Sequence, residues 1–388
     1  MTAAPHHDVA IAGGGPAGAV AALVLARAGC SVLLVHAAPR HGCAAGESLP
    51  PNTRPLLATL GLLPRVLADG HRPSYGNCSA WGSEVLTDHD FIRQLHGPGL
   101  QLDRQRFDAS LRQAACAAGA VLMDHTRLAL DPLSDWSLKG QHTLVLRSPA
   151  GVERRSCGWL IDASGRTAVL ARQLGARRRR EHPLLALQWR LRSATADDRD
   201  GRTLVEAVAD GWWYSVLLPD GERLAVYLTD ADLLDRRRAL RPEALAPLLH
   251  RTVHLRELLV RHDYRPQGRV QGCEACSSRL QSFSGPGWMA VGDAAMAFDP
   301  LASKGIASAI HGGLTGAQAL LAQWRGDSAA LLQWQLRQAD IYGVYRTQLQ
   351  QVYSAERRWR DAAFWQRRAR MPRATQALDA VTGGPGAS

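Results

Sequence analysis

Apolar and polar positions repeat with different periods along this chain, and the period marks the elements. Asp8-Val-Ala-Ile-Ala12 and Ser31-Val-Leu-Leu-Val-His36 are unbroken apolar runs of strand length. Such runs suit strands buried on both faces. Between them Ala17 to Ala28 is rich in Ala, Leu and Val and reads as a helix. The chain therefore opens as a βαβ unit. From Thr53 an apolar helix follows a Pro-rich loop, and a further helix runs from Leu102-Asp103 to about Ala118. Val121 to Ile161 reads as short strands with turns at Asp131-Pro132 and Pro149-Ala-Gly151, ending in the buried strand Trp159-Leu-Ile-Asp162.

Residues 184 to 230 change character. Alternating strands dominate, including Gly211-Trp212-Trp213-Tyr214-Ser-Val-Leu-Leu-Pro219 and Leu224-Ala-Val-Tyr-Leu-Thr229. After Gly305 long helical patterns reach about Arg368, with Trp324, Trp334, Trp359 and Trp365 spaced along them. The end, Thr382-Gly-Gly-Pro-Gly-Ala-Ser, has the composition of a disordered tail.

Glycines convert the opening unit into a nucleotide site. Gly13-Gly14-Gly15-Pro16-Ala17-Gly18 falls at the strand-to-helix turn. Gly13 permits the tight turn, Gly15 lets backbone approach a pyrophosphate, and Gly18 lets helix and strand pack closely. The helix N-terminus supplies N–H donors and partial positive charge. Such units usually close the second strand with Glu or Asp on the ribose hydroxyls, and here the residue is His36. An imidazole holds a ribose less firmly than a carboxylate, so the adenosine end is expected to bind loosely.

Two later segments extend the pattern. Asp162-Ala163-Ser164-Gly165 ends a buried strand, which suits the nucleotide edge of a parallel sheet, and Arg166 is placed to meet phosphate. Trp288-Met-Ala-Val-Gly292-Asp293-Ala-Ala-Met-Ala-Phe-Asp-Pro300-Leu-Ala-Ser-Lys304-Gly305-Ile306 is the most specific stretch of all.

Composition narrows the remaining classes. With 388 residues, 46% hydrophobic and 21% charged, the chain can bury a full core and form two domains with a tail. No apolar run reaches the ~20 residues that span a bilayer, and the N-terminus lacks a signal-peptide pattern, so a cytoplasmic location is expected. The net charge of +11 rests on arginine, since Lys139 and Lys304 are the only lysines. Neither a nucleic-acid motif nor a membrane partner is indicated. Seven scattered cysteines fit no disulfide framework, and Cys273-Glu-Ala-Cys276 lacks the second pair a zinc ribbon needs, so no metal is expected.

The three segments, in this order, resemble the FAD-dependent monooxygenase superfamily, whose members bind one FAD through them. The likeness runs from about Asp8 to Gly313. It implies an α/β fold: a Rossmann-like FAD-binding domain (1–75, 101–182 and 266–325), an inserted antiparallel β-sheet substrate domain (76–100 and 183–265), and C-terminal helices with a tail (326–388). It further implies cofactor contacts from Gly13, Gly15, Pro16, Ala17, Gly18, His36, Asp162 and Gly165. In the late segment it adds Gly292, Asp293, Pro300, Gly305 and Ile306, with Asp293 on a ribityl hydroxyl and the helix at Gly305 facing the ring. Gly46-Glu47-Ser48-Leu49-Pro50-Pro51 lies, by the same likeness, beside the isoalloxazine. Its other reading is a loop in which Ser48 or Asn52 caps the next helix. Arg104 matches a family arginine near the flavin diphosphate and ribityl chain, or else pairs with Asp108 at i, i+4.

Tyr75-Gly-Asn-Cys-Ser-Ala-Trp81-Gly-Ser83, Leu102-Asp-Arg104 and Gly211-Trp-Trp-Tyr214 resemble the branch close to flavin-dependent halogenases. That branch includes maturation enzymes that hydroxylate a peptide-bound tryptophan during tryptophylquinone cofactor biogenesis. The resemblance implies a monooxygenase acting on an indole, with an oxidase or dehydrogenase precursor, or a small aromatic molecule, as partner. Oxygen would be co-substrate, and NAD(P)H or externally reduced flavin the electron source. Trp81, Trp212, Trp213 and Tyr214 are candidates to line a dry chamber. Glu47 and Lys304 are candidate catalytic groups, with His89 and Asp90 as further possible bases; Lys304 has a second reading, solvent or a flavin phosphate. Alternatives are a halogenase, a non-catalytic assembly partner of an oxidase, and a saturating reductase. Against halogenation, the chain has Trp-Trp-Tyr-Ser-Val-Leu-Leu-Pro where halogenases carry Gly-Trp-x-Trp-x-Ile-Pro, and no lysine before Lys139.

Overall fold

The computed structural model describes residues 5–37, 47–92, 94–131 and 142–369. Cys43, Gly46, Pro132, Lys139 and the tail beyond 369 lie outside them. Four central strands are parallel and lie in the spatial order Gly151–Asp162, His6–Ala12, Val32–Val35, Val121–Met123. Trp288–Ala290 adds a parallel strand on the far side of Gly151–Asp162. The two apolar runs that open the chain thus sit in the middle of the sheet. Val9, Ala10, Ile11, Leu33 and Leu34 are fully buried there.

The helix Pro16–Arg27 packs on this sheet and against the long helix Gly305–Trp324. Close approach explains the glycines. Gly13 has φ +113°, which only glycine adopts without strain. A Cβ on Gly18 would collide with the Gly13 carbonyl oxygen. The reading of a tight turn followed by close helix–strand packing is therefore realised at these two positions.

A second, seven-stranded sheet runs in the order Tyr264–Glu274, Leu184–Ser193, Glu222–Asp230, Gly211–Leu217, Thr203–Val208, Gly76–Ala80, Thr87–Asp90. All its pairs are antiparallel except Thr203–Val208 with Gly76–Ala80. The strand Tyr264–Glu274 carries this sheet past residue 265. Ser48–Leu49 is a short strand paired with Gly99–Gln101, so Ser48 is no helix cap. Its hydroxyl instead donates to Gln101 Oε1 at 2.6 Å, and the helix after it is capped by no side chain.

Past Trp324 come the helices Ala330–Ala355 and Ala363–Ala369. They pin the second sheet to the first through buried polar groups. Arg368 donates to both carboxylate oxygens of Asp230, at 2.8 and 3.2 Å. Tyr353 donates to Asp299 Oδ2 at 2.8 Å.

Candidate active site

A cavity of about 880 Å³ lies between the carboxyl edge of the parallel sheet and the second sheet. Its first wall is the strand-to-helix turn Gly13–Ala17. Gly15 caps the helix with extended backbone and no side chain caps it, so the first N–H groups face the cavity. A Cβ on Gly15 would meet nothing within 4 Å, whereas one on Gly14 would press Arg112 and His36. The space in front of Gly15 is therefore open to a ligand. His36 also lines the cavity; burial, reinforced by the Arg112 guanidinium, lowers its pKa, so it is neutral at physiological pH.

The loop after Asp162 forms the second wall. Asp162 does not reach the cavity: it is buried, and its carboxylate accepts from Ser164 N, Ser164 Oγ and Ala171 N at 2.9, 2.6 and 2.8 Å. It shapes the turn that brings Ala163, Ser164, Gly165 and Arg166 to the wall. Arg166 donates to the carbonyls of Cys276 and Phe298 and stands 3.6 Å from Asp293 Oδ2. It is thus committed to protein groups as well as facing the cavity. Asp293 caps no helix with its side chain and lines the cavity, together with Pro300, Lys304, Gly305 and Ile306. The 20-residue helix beginning at Gly305 aims its N-terminus at this wall. Gly292 stays behind it: a Cβ there would come 2.6 Å from Ala17 Cβ.

The third wall is the second sheet with the Glu47–Ser48 segment. Thr203, Val205, Trp212 and Tyr214 face inward, and Arg104 and Asp108 join them as an ion pair at 3.2 Å. The i, i+4 pair is therefore present, on a residue that also lines the cavity. Glu47 is buried, and Tyr214 donates to its Oε2 at 3.3 Å. Burial pushes the Glu47 carboxyl up to about 7, against the pull of Arg104 and of that hydrogen bond. A carboxyl that titrates near neutrality in a cavity is equipped to hold or pass a proton.

Two expected lining residues are elsewhere. Trp213 points to the opposite side of its strand, stacked on Tyr227 with centroids 4.9 Å apart, because successive strand side chains alternate. Trp81 sits behind Trp212, its Nε1 donating to Val352 O at 2.8 Å. His89 and Asp90 lie on the exposed edge strand, leaving Glu47 as the candidate base that lines the cavity. Lys304 is exposed, and its ammonium donates to Gln348 at 2.7 Å. One wall residue was missed. Asp299 is buried with a raised pKa, caused by burial, and it accepts from Tyr353. Its place just before Pro300 in the late segment was the available signal. Among the described residues no cluster of His, Cys, Asp and Glu is placed to hold a metal, and no helix is long and apolar enough to cross a membrane.

A flavin dinucleotide fits these residues. The open space at Gly15, the uncapped helix start and the long cavity reaching to a second helix start match a diphosphate joined to a ring system. Comparison with known proteins agrees. A family model described as FAD binding domain matches residues 6–334. LodB of Marinomonas mediterranea, provisionally described as an FAD-dependent oxidoreductase, is 29% identical over 93% of this chain and 96% of its own. The solved structure of the peptidyl tryptophan dihydroxylase QhpG, essential for tryptophylquinone cofactor biogenesis, aligns with TM-score 0.72 and 25% identity over 94% of this chain and 78% of its own. The myxobacterial chondrochloren halogenase CndH, at 24% identity, shares the fold with TM-score 0.85 over 97% of this chain and 89% of its own.

Proposed function

This chain belongs to the FAD-binding domain family, and on that premise we propose that it is an FAD-dependent monooxygenase hydroxylating the indole of a tryptophan in a partner protein. The observation that carries the reading is the inner wall, where Trp212 and Tyr214 flank a buried carboxyl that titrates near neutrality. The 25% identity to a peptidyl tryptophan dihydroxylase supports the substrate class. The partner would be an oxidase or dehydrogenase precursor met in the cytoplasm, and residues 76–100 and 183–265 would form the substrate domain.

Gly13, Gly15, Pro16 and Ala17 would hold the FAD diphosphate, His36 the adenosine ribose, and Arg104 and Asp293 the ribityl side, with Ser48, Gly165, Pro300, Gly305 and Ile306 around them. Bound FAD, reduced by NAD(P)H or taken up as externally reduced flavin, would supply the oxygen-activating chemistry. The protein's own groups do the rest. The helix N-terminus at Gly305 favours negative charge beside the ring. Trp212 and Tyr214 orient a flat aromatic ring and exclude water. Glu47 Oε2, within reach of the Tyr214 hydroxyl, takes up the proton that aromatic hydroxylation releases.

Halogenation is the second reading, favoured by the fold shared with CndH. Lys304 argues against it: as the lysine of the described residues that lines the cavity, its ammonium is held by Gln348 rather than free for a halogenating species. The test is co-expression with precursor proteins encoded nearby, followed by peptide mass spectrometry. Added oxygen on a tryptophan of the precursor is expected. Added halogen moves the assignment to the second reading, and an unmodified precursor beside a hydroxylated free metabolite defeats the protein-substrate idea.

A further inference from the structure

Behind the cavity wall the aromatic rings do not end. Tyr214 and Trp212 line the cavity, with centroids 6.1 Å apart. Trp212 meets Trp81 edge-on at 6.2 Å, and Trp81 meets Trp365 at 5.4 Å. Trp365 stacks on half-exposed Trp359 at 6.2 Å and 25°. A parallel branch leaves Trp212 through Tyr353, whose hydroxyl accepts from Trp212 Nε1 at 3.2 Å and whose ring lies 6.1 Å from Trp365. Both branches converge on Trp365.

Aromatic packing needs no such line. A core is satisfied by rings and aliphatic side chains mixed, whereas here every step from cavity to surface is Trp or Tyr, the aromatic side chains most easily oxidised by one electron. Three of the indole N–H groups are already held: Trp81 by Val352 O, Trp365 by Val208 O at 3.0 Å, and Trp212 by Tyr353. Tyr353 in turn donates to Asp299, which can accept the phenolic proton when the ring is oxidised. The polarity is fixed by chemistry. These rings give up an electron only to a strong oxidant and accept one poorly, so the line passes oxidising equivalents outward and does not reduce a flavin in its ground state.

We propose that Trp212, Trp81 (with Tyr353), Trp365 and Trp359 form a path that drains one-electron oxidising equivalents from the cavity to the surface. The inference rests on the cavity holding a flavin that activates oxygen. When that chemistry is not coupled to substrate, an oxygen-derived radical of the hydroxyl class takes an electron from Trp212 and, with a proton, becomes water. Trp212 is refilled by Trp81 or Tyr353, those by Trp365, and Trp365 by Trp359. Oxidised Trp359 loses its N–H proton to solvent, and a thiol in solution returns one electron and one proton to it.

The test uses the full chain loaded with FAD and a flash of blue light, which makes the bound oxidised flavin a one-electron oxidant without turnover. Transient absorption is expected to show a tryptophan radical that outlives the flash by microseconds or longer. In Trp365→Phe, which blocks both branches, and in Trp359→Phe at the half-exposed end, the radical lifetime should fall at least tenfold. Peptide mapping after prolonged illumination should find oxidation at Trp359 in the native chain, shifted to Trp212 and Trp81 in Trp365→Phe. Flavin content and circular dichroism of each variant identify any that fail to fold, and the Trp359→Phe variant keeps the test decisive if Trp365→Phe does. Lifetimes equal to the native chain's, with oxidation confined to Trp212 or Tyr214, overturn the path alone. A protein that takes up no FAD overturns the site reading, and the path with it.

Discussion

The Tyr214 hydroxyl donates to Glu47 Oε2 across 3.3 Å at the inner wall of the cavity. This bond joins the second sheet to the segment that leads into the short strand Ser48–Leu49. Burial keeps water from stabilising the carboxylate charge, so the Glu47 pKa rises from the ordinary 4.5 to about 7 despite this bond. The sign for stability follows. Between these values the native state binds more protons than the unfolded chain, so stability is full below pH 4.5 and lost as pH rises through about 7. In the flavin-free protein Glu47→Gln should therefore flatten the pH dependence, removing a loss on the order of 3 kcal/mol between pH 4.5 and 8. Urea denaturation at several pH values checks this; parallel curves for the two proteins would refute it.

Gly15 offers a separation of binding from folding. Its backbone is extended and a side chain there would meet no protein atom within 4 Å. Gly15→Val should fold with an unchanged melting temperature and lose FAD affinity at least a hundredfold, because the new side chain occupies the space of the diphosphate. Flavin fluorescence titration beside calorimetry of the ligand-free protein measures both.

His36 stands where a carboxylate is usual, and Arg112 lies against the same turn, donating to Gly14 O at 3.1 Å. In the proposed binding mode a neutral imidazole would hold the ribose hydroxyls less firmly than a carboxylate. His36→Glu restores a strong acceptor, and Arg112 favours its charge. FAD should bind about tenfold tighter, which corresponds to ~1.4 kcal/mol. An unchanged dissociation constant would mean that the adenosine end does not depend on this residue.

Much of this site was legible in the residue order because backbone requirements dictate residue type. The turn at Gly13 and the close approach at Gly18 admit no side chain, so the glycines announce the nucleotide edge. The late Gly292–Ile306 stretch did the same. Which tryptophans face the cavity was not legible. Trp212 and Trp213 are equally apolar neighbours, and the strand's register against Glu222–Asp230 and Thr203–Val208 decides which points inward. Asp299 escaped notice for a related reason: its importance comes from Tyr345 and Tyr353, 46 and 54 residues away.

The second sheet depends on a buried ion pair. The side chains of Arg223 and Asp198 are at most 3% exposed and 2.7 Å apart, with Tyr264 donating to the same Asp198 oxygen at 2.8 Å. Arg223→Met keeps the volume and strands a buried charge. It should cost about 3–5 kcal/mol, and Arg223→Met with Asp198→Asn should recover most of that loss. Chemical denaturation of both variants measures it, and a double variant no better than the single one would place the cost in packing instead.

The neighbouring tryptophans provide the sharpest test of the proposed substrate wall. Trp213 is fully buried against Tyr227 on the side away from the cavity. Trp213→Phe should lower stability by about 1–2 kcal/mol and leave the substrate KM unchanged. Trp212 lines the cavity, and Trp212→Phe removes both a face for the substrate ring and the N–H held by Tyr353. Its KM should rise about tenfold, a change absent from Trp213→Phe. The two variants delete the same atoms from adjacent positions, so composition and helix or strand propensity cancel between them. What differs is the face of the strand, together with the bond from Trp212 to Tyr353 that this face provides. Should both variants bind substrate alike, the aromatic wall at Trp212 takes no part in recognition.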